Sequence, residues 1–239
     1  TEVTDGTLLS FVNESFTSSL PLDVQGSAAA AYSLRNLSSS YSGNVVEVRR
    51  SSDDTTQNFT AAEITDGTLL SFVGTGGSDN GFVKTWYDQS GNNNNAVQAT
   101  AANQPKIVSA GSLLTAGVTF DGTDDHLDLT STLGITSVAS HFAVTNLAGI
   151  TNNTLFDNRD SSTDGYSIRT NDTSNINFDW LTSDAEVANA SGQAVYYFNK
   201  TSSQVQSGAN GGTLVTASES GSVSVAATPR IGARSFTSA

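Results

Sequence analysis

The sequence predicts an all-β protein, an antiparallel β-sandwich of the jelly-roll type with one or two short helices. Short runs of strand-forming residues recur at spacings of roughly 10 to 20 residues, with Gly, Asn, Asp and Ser between them. No long run shows helical spacing. Charged residues make up only 14% of the 239 residues, so neutral polar side chains must cover most of the surface. This length suits one large β domain.

The predicted strands are rich in β-branched and aromatic residues and are bounded by turn formers. The strongest is residues 82–87, which leads into a turn-rich stretch of Gly and Asn. The other predicted strands are residues 45–50, 117–120, 140–144, 154–156, 166–168, 176–178, 194–198, 212–216 and 229–232. This arrangement favours two stacked antiparallel sheets.

One segment occurs twice: residues 2–12 return as residues 63–73, with Ile64 in place of Val3. Each copy predicts a helix of one or two turns on the sandwich edge, capped by Thr or Asp, and Gly74 ends the second copy. A single pair of copies excludes a solenoid. Residues 1–27 are predicted to be a connector or part of an adjoining unit. Residues 28–239 form the sandwich, and its last strand is expected to be missing.

Charge and residue usage exclude several classes of function. The net charge is -13 and only 10 residues are Lys or Arg, which disfavours nucleic acid and anionic membranes as partners. The absence of Cys excludes disulfides and thiolate chemistry. The two His residues lack zinc-site spacing. No apolar run reaches the roughly 20 residues of a membrane span, so membrane insertion is not expected.

The end of the strand at residues 82–87 offers a candidate glycan site, because aromatic rings stack on sugars and amides bind hydroxyl groups. The same block also suits a structural corner, with one carboxylate accepting backbone N–H bonds and Gly91 allowing a left-handed turn. Both interpretations stay open. The candidate glycan-binding residues are Trp86, Tyr87, Asp88, Asn92, Asn93 and Asn94.

Three carboxylates stand close together in sequence at Asp121, Asp124 and Asp125. Their oxygens suit Ca²⁺, although a calcium site normally draws ligands from more than one segment. A plain turn between two strands is the alternative. No cofactor is therefore predicted, with Ca²⁺ as the one alternative left open.

Four blocks in a fixed order carry a resemblance to known families: residues 31–35, 48–54, 86–92 and 120–125. Together they resemble the concanavalin A-like, or laminin G-like, domains of bacteriophage virion proteins, particularly marine ones. They are also similar to the catalytic sandwich of family 54 α-L-arabinofuranosidases. The resemblance runs from about residue 28 to residue 236 and implies a concanavalin A-like sandwich.

The arabinofuranosidase resemblance implies a Glu nucleophile shortly after a Phe-Asp pair. Here Phe156 and Asp157 are followed by Asn158, Arg159 and Asp160, and no Glu appears. The side chain of Asp160 is one methylene shorter than that of Glu, which would displace an attacking oxygen by roughly 1 Å.

The resemblance also implies an Asp as acid/base shortly after an Ile-Gly strand, and a nearby half-cystine pair. Ile231 and Gly232 are followed by Ala233 and Arg234, and the chain has no Cys. A different pair of carboxylates, Asp179 with Asp184 or Glu186, remains open.

The sequence therefore predicts a non-enzymatic bacteriophage virion module, a capsid decoration, fibre or tail component that presents a polar surface and binds host or environmental glycans. The alternative is a secreted glycoside hydrolase of the arabinofuranosidase type. The expected partners are other virion proteins, copies of this chain with a trimer favoured, and a surface glycan. The expected location is the virion surface or the extracellular space.

Overall fold

The computed structural model describes residues 19–25, 27–74, 77–115, 117–147, 153–161, 164–224 and 228–233. Within them the chain forms two antiparallel sheets and three short α-helices, which confirms the predicted all-β sandwich. No helix in these described residues is both long enough and apolar enough to cross a membrane.

The helices and strands are numbered here in chain order. The helices are α1 (Pro21–Val24), α2 (Ala61–Thr65) and α3 (Thr68–Val73), and a 3-10 turn spans Ala101–Asn103. The first eight strands are β1 (Val46–Arg50), β2 (Thr56–Phe59), β3 (Gly81–Trp86), β4 (Ala96–Val97), β5 (Lys106–Ser109), β6 (Ser112–Leu113), β7 (Leu127–Leu129) and β8 (Ala139–Thr145). The others are β9 (Thr154–Arg159), β10 (Gly165–Thr170), β11 (Asn175–Trp180), β12 (Ser183–Ala188), β13 (Ala194–Lys200), β14 (Gln204–Ala209), β15 (Val215–Ser218) and β16 (Arg230–Ile231).

The large sheet has twelve strands, and ten of them follow the order β12-β11-β10-β9-β16-β7-β4-β3-β1-β2. Of the other two, β5 pairs with β3 and β6 pairs with β5. The small sheet has the order β15-β14-β13-β8. Strand β16 lies between β9 and β7, so the end of the chain joins the two halves of the large sheet.

Two hydrophobic clusters hold the layers together. The first packs α2 and α3 against one end of the large sheet, with Phe59 and Leu69 fully buried. The second fills the space between strands β9–β12 and the small sheet, where Trp180 stacks on Tyr166 with ring centroids 4.8 Å apart. Burying such a side chain contributes about 1.5 to 3 kcal/mol, so these clusters determine how the sheets pack.

The second copy of the repeat forms α2 and α3, as predicted. Thr60 and Glu63 form a capping box at the start of α2. Gly67, at φ 89°, separates the two helices, and Gly74, at φ 113°, ends α3. The first copy, residues 2–12, lies outside the described residues.

Some strand predictions were wrong, for identifiable reasons. Residues 117–120 form only an isolated bridge between Thr119 and Lys106. The strand expected at 212–216 begins later, at Val215, because Asn210 and Gly211 take positive φ angles of 51° and 73° in a turn. Strands β12 and β14 were not predicted, because their side chains are mostly polar and they are held in the extended conformation by pairing with neighbouring strands.

Candidate functional site

One face of the large sheet, opposite the two hydrophobic clusters, carries a line of mostly polar side chains. Directly paired residues of neighbouring strands share a face, so the register aligns one residue from each of nine strands. We call this line the polar row. From β12 to β1 it contains Asp184, Asp179, Ser167, Asp157, Arg230, Asp128, Val97, Thr85 and Glu47.

The centre of the polar row brings together the two places that the arabinofuranosidase resemblance singles out. Ile231 of β16 pairs with Phe156 of β9, and Arg230 pairs with Asp157. Asp157 is fully buried and forms an ion pair with Arg159 at 2.6 Å. Such a carboxylate is positioned to hold the sheet together rather than to react.

The reacting carboxylates expected at these two places are absent. Gly232 has φ 91°, and a Cβ atom there would lie 2.4 Å from the Phe120 ring, so the backbone requires glycine. Ala233, which follows it, has no carboxylate. Asp160 is exposed, and its Oδ2 atom accepts a hydrogen bond from Ser224 Oγ at 3.2 Å.

A different pair of carboxyl groups meets at the β12 end of the polar row. Asp179 is 6% exposed, and its Oδ2 atom accepts hydrogen bonds from Ser167 Oγ at 3.2 Å and from Arg169 Nε. Its Oδ1 atom is buried and has no hydrogen-bond partner among the described residues. A buried carboxylate oxygen without a partner is costly, and it marks a place where a donor from outside could bind.

Asp184 lies opposite Asp179 on the edge strand β12 and is exposed. The pKa of Asp184 is raised to about 6, first because the group is partly desolvated and then because of the neighbouring carboxyl group and negative charge of Asp179. Arg169 acts in the opposite sense. Asp184 therefore keeps its proton in mildly acidic solution, as a general acid must.

Asn177 and Glu186 complete this group of polar side chains. Asn177 is 1% exposed, and its buried Oδ1 atom has no hydrogen-bond partner among the described residues. It stands between Arg169 of β10 and Glu186 of β12. We call Arg169, Asn177, Asp179, Asp184 and Glu186 the edge site. It offers acceptor oxygens for hydroxyl groups and one carboxyl proton.

The sequence named the carboxylates of the edge site only as an open alternative, and it missed Asn177 and Arg169. A signal was present: between residues 175 and 180 polar and apolar residues alternate strictly, with Asn177 and Asp179 on the polar side. The pairing of β11 with β10 and β12 was needed to show that Arg169 lies opposite Asn177 and forms an ion pair with Asp179.

The candidate glycan-binding block forms a tightly bonded corner. Asp88 is 6% exposed and accepts hydrogen bonds from the backbone N–H groups of Ala31, Ser90 and Asn94 and from Ser90 Oγ. Trp86 packs on Tyr32 with ring centroids 5.8 Å apart. We call residues 86–95 with the 28–37 segment the corner.

The remaining residues of the block also make contacts within the chain. The side-chain amides of Asn92 and Asn94 donate to the carbonyl oxygen of Ala29 or its neighbour Ala28. Tyr87 donates from its hydroxyl group to Asn58. Asn93 takes a positive φ of 59°. Glycan binding at these residues stays a prediction.

The three carboxylates Asp121, Asp124 and Asp125 do lie together, with ligand atoms within 4.8 Å of one another. Asp121 Oδ1 accepts the backbone N–H groups of Thr123, Asp124 and Asp125, which stabilises the turn without an ion. Calcium binding at this turn stays a prediction.

Comparison with known proteins identifies the fold. No protein family profile matches the chain, and no curated protein matches it. Three solved structures do match. A GH54 α-L-arabinofuranosidase soaked with a cyclic sulfate inhibitor shares 17% identity over 86% of this chain, with a TM-score of 0.54. A mutant of a GH54 α-L-arabinofuranosidase soaked with 4-nitrophenyl α-L-arabinofuranoside also shares 17% identity over 86% of this chain, with a TM-score of 0.55.

The third structure, an arabinofuranosidase complexed with arabinofuranosyl-α-1,2-xylobiose, shares 16% identity over 85% of this chain, with a TM-score of 0.53. The chain spans 55% to 57% of the length of these proteins. At this identity the likeness defines the fold, a sandwich of the kind that these glycoside hydrolases use.

This likeness corrects one prediction. The missing carboxylates at β9 and β16 had indicated a protein that is not an enzyme, whereas the matches lead to a glycoside hydrolase fold. The two positions that the resemblance implied lack their carboxylates, but strand pairing brings together the other pair that the sequence left open, Asp179 and Asp184. The virion resemblance finds no counterpart among these three matches.

Proposed function

We propose that this chain is an extracellular glycoside hydrolase domain of the arabinofuranosidase type. The observation that carries the proposal is the likeness in fold over 86% of the chain to enzymes that act on arabinofuranosides. The polar row supports it, because it places acceptor oxygens and ionisable groups on one sheet face, with Asp184 exposed at its end. The virion role predicted from the sequence motifs has no separate support.

The edge site is the part of the polar row best suited to the chemistry. Asp184, with a pKa of about 6, is the proton donor to the departing glycosidic oxygen, and that oxygen takes the electron pair of the breaking bond. Asp179, which forms an ion pair with Arg169 and accepts a hydrogen bond from Ser167, is its cross-strand partner. The exposed carboxyl groups of Asp184 and Glu186 accept hydrogen bonds from sugar hydroxyl groups.

Asp179 and Asp184 are direct cross-strand partners on β11 and β12. Retaining glycosidases keep their two carboxyl groups about 5 to 5.5 Å apart, with one of them as nucleophile. Because Asp179 Oδ1 is buried and its Oδ2 is bonded to Arg169 and Ser167, we assign the attack to water. The leaving oxygen takes the Asp184 proton as the glycosidic bond breaks, water adds to the sugar carbon, and the proton that this water loses returns to the Asp184 carboxylate.

The test compares two leaving groups. Arabinose release is measured from 4-nitrophenyl α-L-arabinofuranoside, whose leaving group needs little protonation, and from arabinofuranosyl-α-1,2-xylobiose, whose sugar leaving group needs a proton. Asp184→Asn should slow release from the second substrate about 10²- to 10⁴-fold and from the first much less, because asparagine cannot donate a carboxyl proton.

The matched control is Asp172→Asn. Asp172 is an exposed carboxylate in the turn between β10 and β11, and its Oδ1 atom caps the backbone N–H groups of Ser174 and Asn175, a role that asparagine can keep. This variant should match the parent protein on both substrates. If the parent protein releases no arabinose from either substrate, the proposed function is wrong. If Asp184→Asn affects both substrates equally, the assignment of the proton donor is wrong.

A further inference from the structure

The outer face of the small sheet exposes two aromatic rings side by side. Phe142 of β8 and Tyr197 of β13 are direct cross-strand partners with ring centroids 4.9 Å apart, and Phe142 is 73% exposed. Gly208 of β14 continues this row without a side chain, and Leu214 lies over it, since a Cβ atom at Gly208 would be 2.8 Å from Leu214 Cδ2. Leu214 is 42% exposed. We call Phe142, Tyr197 and Leu214 the apolar strip.

A row of uncharged polar side chains runs beside the apolar strip. Ser140 Oγ donates to Asn199 Oδ1 at 2.8 Å, and Asn199 Nδ2 donates to Gln206 Oε1 at 2.8 Å. Thr216 of β15 is the cross-strand partner of Gln206, so the row crosses all four strands, a width of about 14 Å. We call these four residues the amide ladder. It lies about 6.8 Å from the apolar strip, because residues two apart on a strand share a face.

The small sheet presents no charge to solvent, unlike the rest of the chain. The sequence has 10 Lys or Arg and 23 Asp or Glu residues, yet the four strands of this sheet, which the structure describes in full, contain only Lys200. Lys200 is 2% exposed, and its Nζ donates to the backbone carbonyl of Ser137. The ligand that this face suits is therefore uncharged, because an ionic ligand would lose its water without gaining a counter-charge.

The polar groups of the amide ladder match hydroxyl groups in hydrogen bonding. Ser, Thr, Asn and Gln side chains each both donate and accept hydrogen bonds, as a hydroxyl group does. The bonds within the ladder fix the orientation of the Asn199 and Gln206 amides, so they reach solvent already ordered. A ligand that fits both rows has apolar faces for the rings and many hydroxyl groups at its rim, and a sugar chain has this chemistry.

We propose that the outer face of the small sheet binds a neutral polysaccharide, with Phe142 and Tyr197 stacking on sugar rings and the amide ladder binding their hydroxyl groups. Aromatic side chains supply a large apolar contact area, and contiguous exposed apolar groups mark interaction surfaces. A second copy of this chain and an anionic membrane are both disfavoured as occupants, because the net charge of -13 repels each of them.

This surface is separate from the edge site. The second hydrophobic cluster fills the space between strands β9–β12 and the small sheet, and the side chains of the edge site point away from that space. The outer face of the small sheet lies on the other side of the sandwich. It holds the protein on a polymer and takes no part in bond cleavage. The inference goes beyond the proposed hydrolase function, since a chain that cleaves no arabinofuranoside still binds the polymer.

The test measures retention of the full chain in native gels that contain arabinoxylan, a neutral polysaccharide. Phe142→Ala should raise the dissociation constant about 3- to 10-fold, because one stacking ring is lost. Phe142→Tyr keeps a ring and should bind as the parent protein does. Gln206→Ala should weaken binding about 2- to 5-fold through lost hydrogen bonds. Val24→Ala is the matched control, because Val24 is an apolar side chain, 62% exposed, on α1, which belongs to neither sheet.

Release of 4-nitrophenol from the aryl arabinofuranoside separates this inference from the proposed function. Phe142→Ala should leave that release within about 2-fold of the parent protein, as for a surface change away from the reacting groups. A parent protein that cleaves the aryl substrate but is not retained by arabinoxylan would overturn the inference and leave the proposed function standing. A protein that is retained through Phe142 but cleaves nothing would do the reverse.

Three further results would also overturn the inference. The first is retention that stays unchanged in both Phe142→Ala and Gln206→Ala. The second is retention by the anionic polysaccharide polygalacturonate that equals or exceeds retention by arabinoxylan. The third is binding to phosphatidylcholine vesicles that Phe142→Ala abolishes while retention by arabinoxylan stays the same, which would assign the aromatic pair to a lipid surface.

Discussion

The corner and the edge site each contain a buried aspartate, and the two differ in one respect. Asp88 and Asp179 are both 6% exposed. Both carboxylate oxygens of Asp88 accept hydrogen bonds. Three of the four bonds come from backbone N–H groups, and these groups belong to two different segments of the chain. Asp179 has one bonded oxygen, held by Arg169 and Ser167, and one buried oxygen without a partner among the described residues.

This difference separates a carboxylate whose hydrogen bonds are all made within the fold from one that keeps an unpaired oxygen among the described residues. A buried carboxylate is stable when donors surround it, and the bonds of Asp88 tie residues 28–37 to the end of β3. An unpaired buried oxygen lowers the stability of the fold, and a hydrogen-bond donor that reached this oxygen would restore that stability. The motif that is most conspicuous in the sequence, Trp86 to Asn94, forms hydrogen bonds within the chain, whereas the less conspicuous alternation at 175–180 carries the carboxylate with an unpaired buried oxygen.

The largest effect should come from Asp88→Ala. Three backbone N–H groups lose their acceptor at once, so the free energy of unfolding should fall by about 3 to 5 kcal/mol. Urea unfolding near neutral pH measures this change. Asp54→Ala is the control, because Asp54 forms a surface ion pair with Arg49 and is 76% exposed, and its loss should cost under about 1 kcal/mol. If both variants lost the same free energy of unfolding, the structural role of the corner would be wrong.

The substitution Asp184→Asn should raise the free energy of unfolding, by an amount that depends on pH. The pKa of Asp184 is about 6 in the folded protein, above its ordinary value of 3.8, so the folded state holds the proton more tightly than the unfolded state. Stability therefore falls as pH rises from about 4 to 6 and stays lower above that range. Below about pH 4 both states are protonated and the carboxyl costs nothing.

Removing this carboxyl should raise the free energy of unfolding by about 1 kcal/mol above pH 6, a value reduced from the full shift because Asp184 is exposed to solvent. Below pH 4 the variant and the parent protein should agree. Thermal unfolding at both pH values checks this. A variant that is less stable than the parent protein above pH 6 would show that Asp184 is not under strain beside Asp179.

A smaller effect is expected for Asn92→Ala in the corner. The Asn92 amide donates to the carbonyl oxygen of Ala28 at 2.8 Å, and losing this exposed bond should cost about 0.5 to 1 kcal/mol. Glycan retention on an affinity gel is measured in parallel. Retention that falls sharply while stability changes this little would make the corner a glycan site after all and would weaken the contrast with the edge site.

The smallest effect is expected for Asp160→Asn. Asp160 is exposed, lies outside the edge site, and accepts one hydrogen bond from Ser224 Oγ, which asparagine can keep. Arabinose release should therefore stay within about 2-fold of the parent protein, as for surface changes away from a reacting group. Abolished release would move the chemistry to the end of β9, where the arabinofuranosidase resemblance places the nucleophile.

Much of the fold could be predicted because its signals are local. Residues 140–144, 166–168 and 194–198 were assigned as strands from their composition and bounding turns, and all three lie within β8, β10 and β13. Strand β12 was missed because its side chains are mostly polar and it depends on β11 for its order. The short β16 lies within the strand predicted at residues 229–232, but its position between β9 and β7 was not predicted.

The site could be predicted only in part. Asp179 and Asp184 face each other across a short hairpin, so their proximity was within reach of sequence reasoning. The contact of Asp157 with Arg230, by contrast, joins two strands that are distant in sequence and is fixed by β16 entering the large sheet. No local pattern encodes that insertion.

The sequence by itself determined the class of fold, the turns and the absence of thiol chemistry, since alternation, turn residues and composition act over a few residues or over the whole chain at once. Only the tertiary structure decided the polar row and, within the described part of the chain, the unpaired oxygen of Asp179 and the unpaired edge of β8. Each depends on strand register and order, and these are set by how the hydrophobic clusters pack rather than by any one segment.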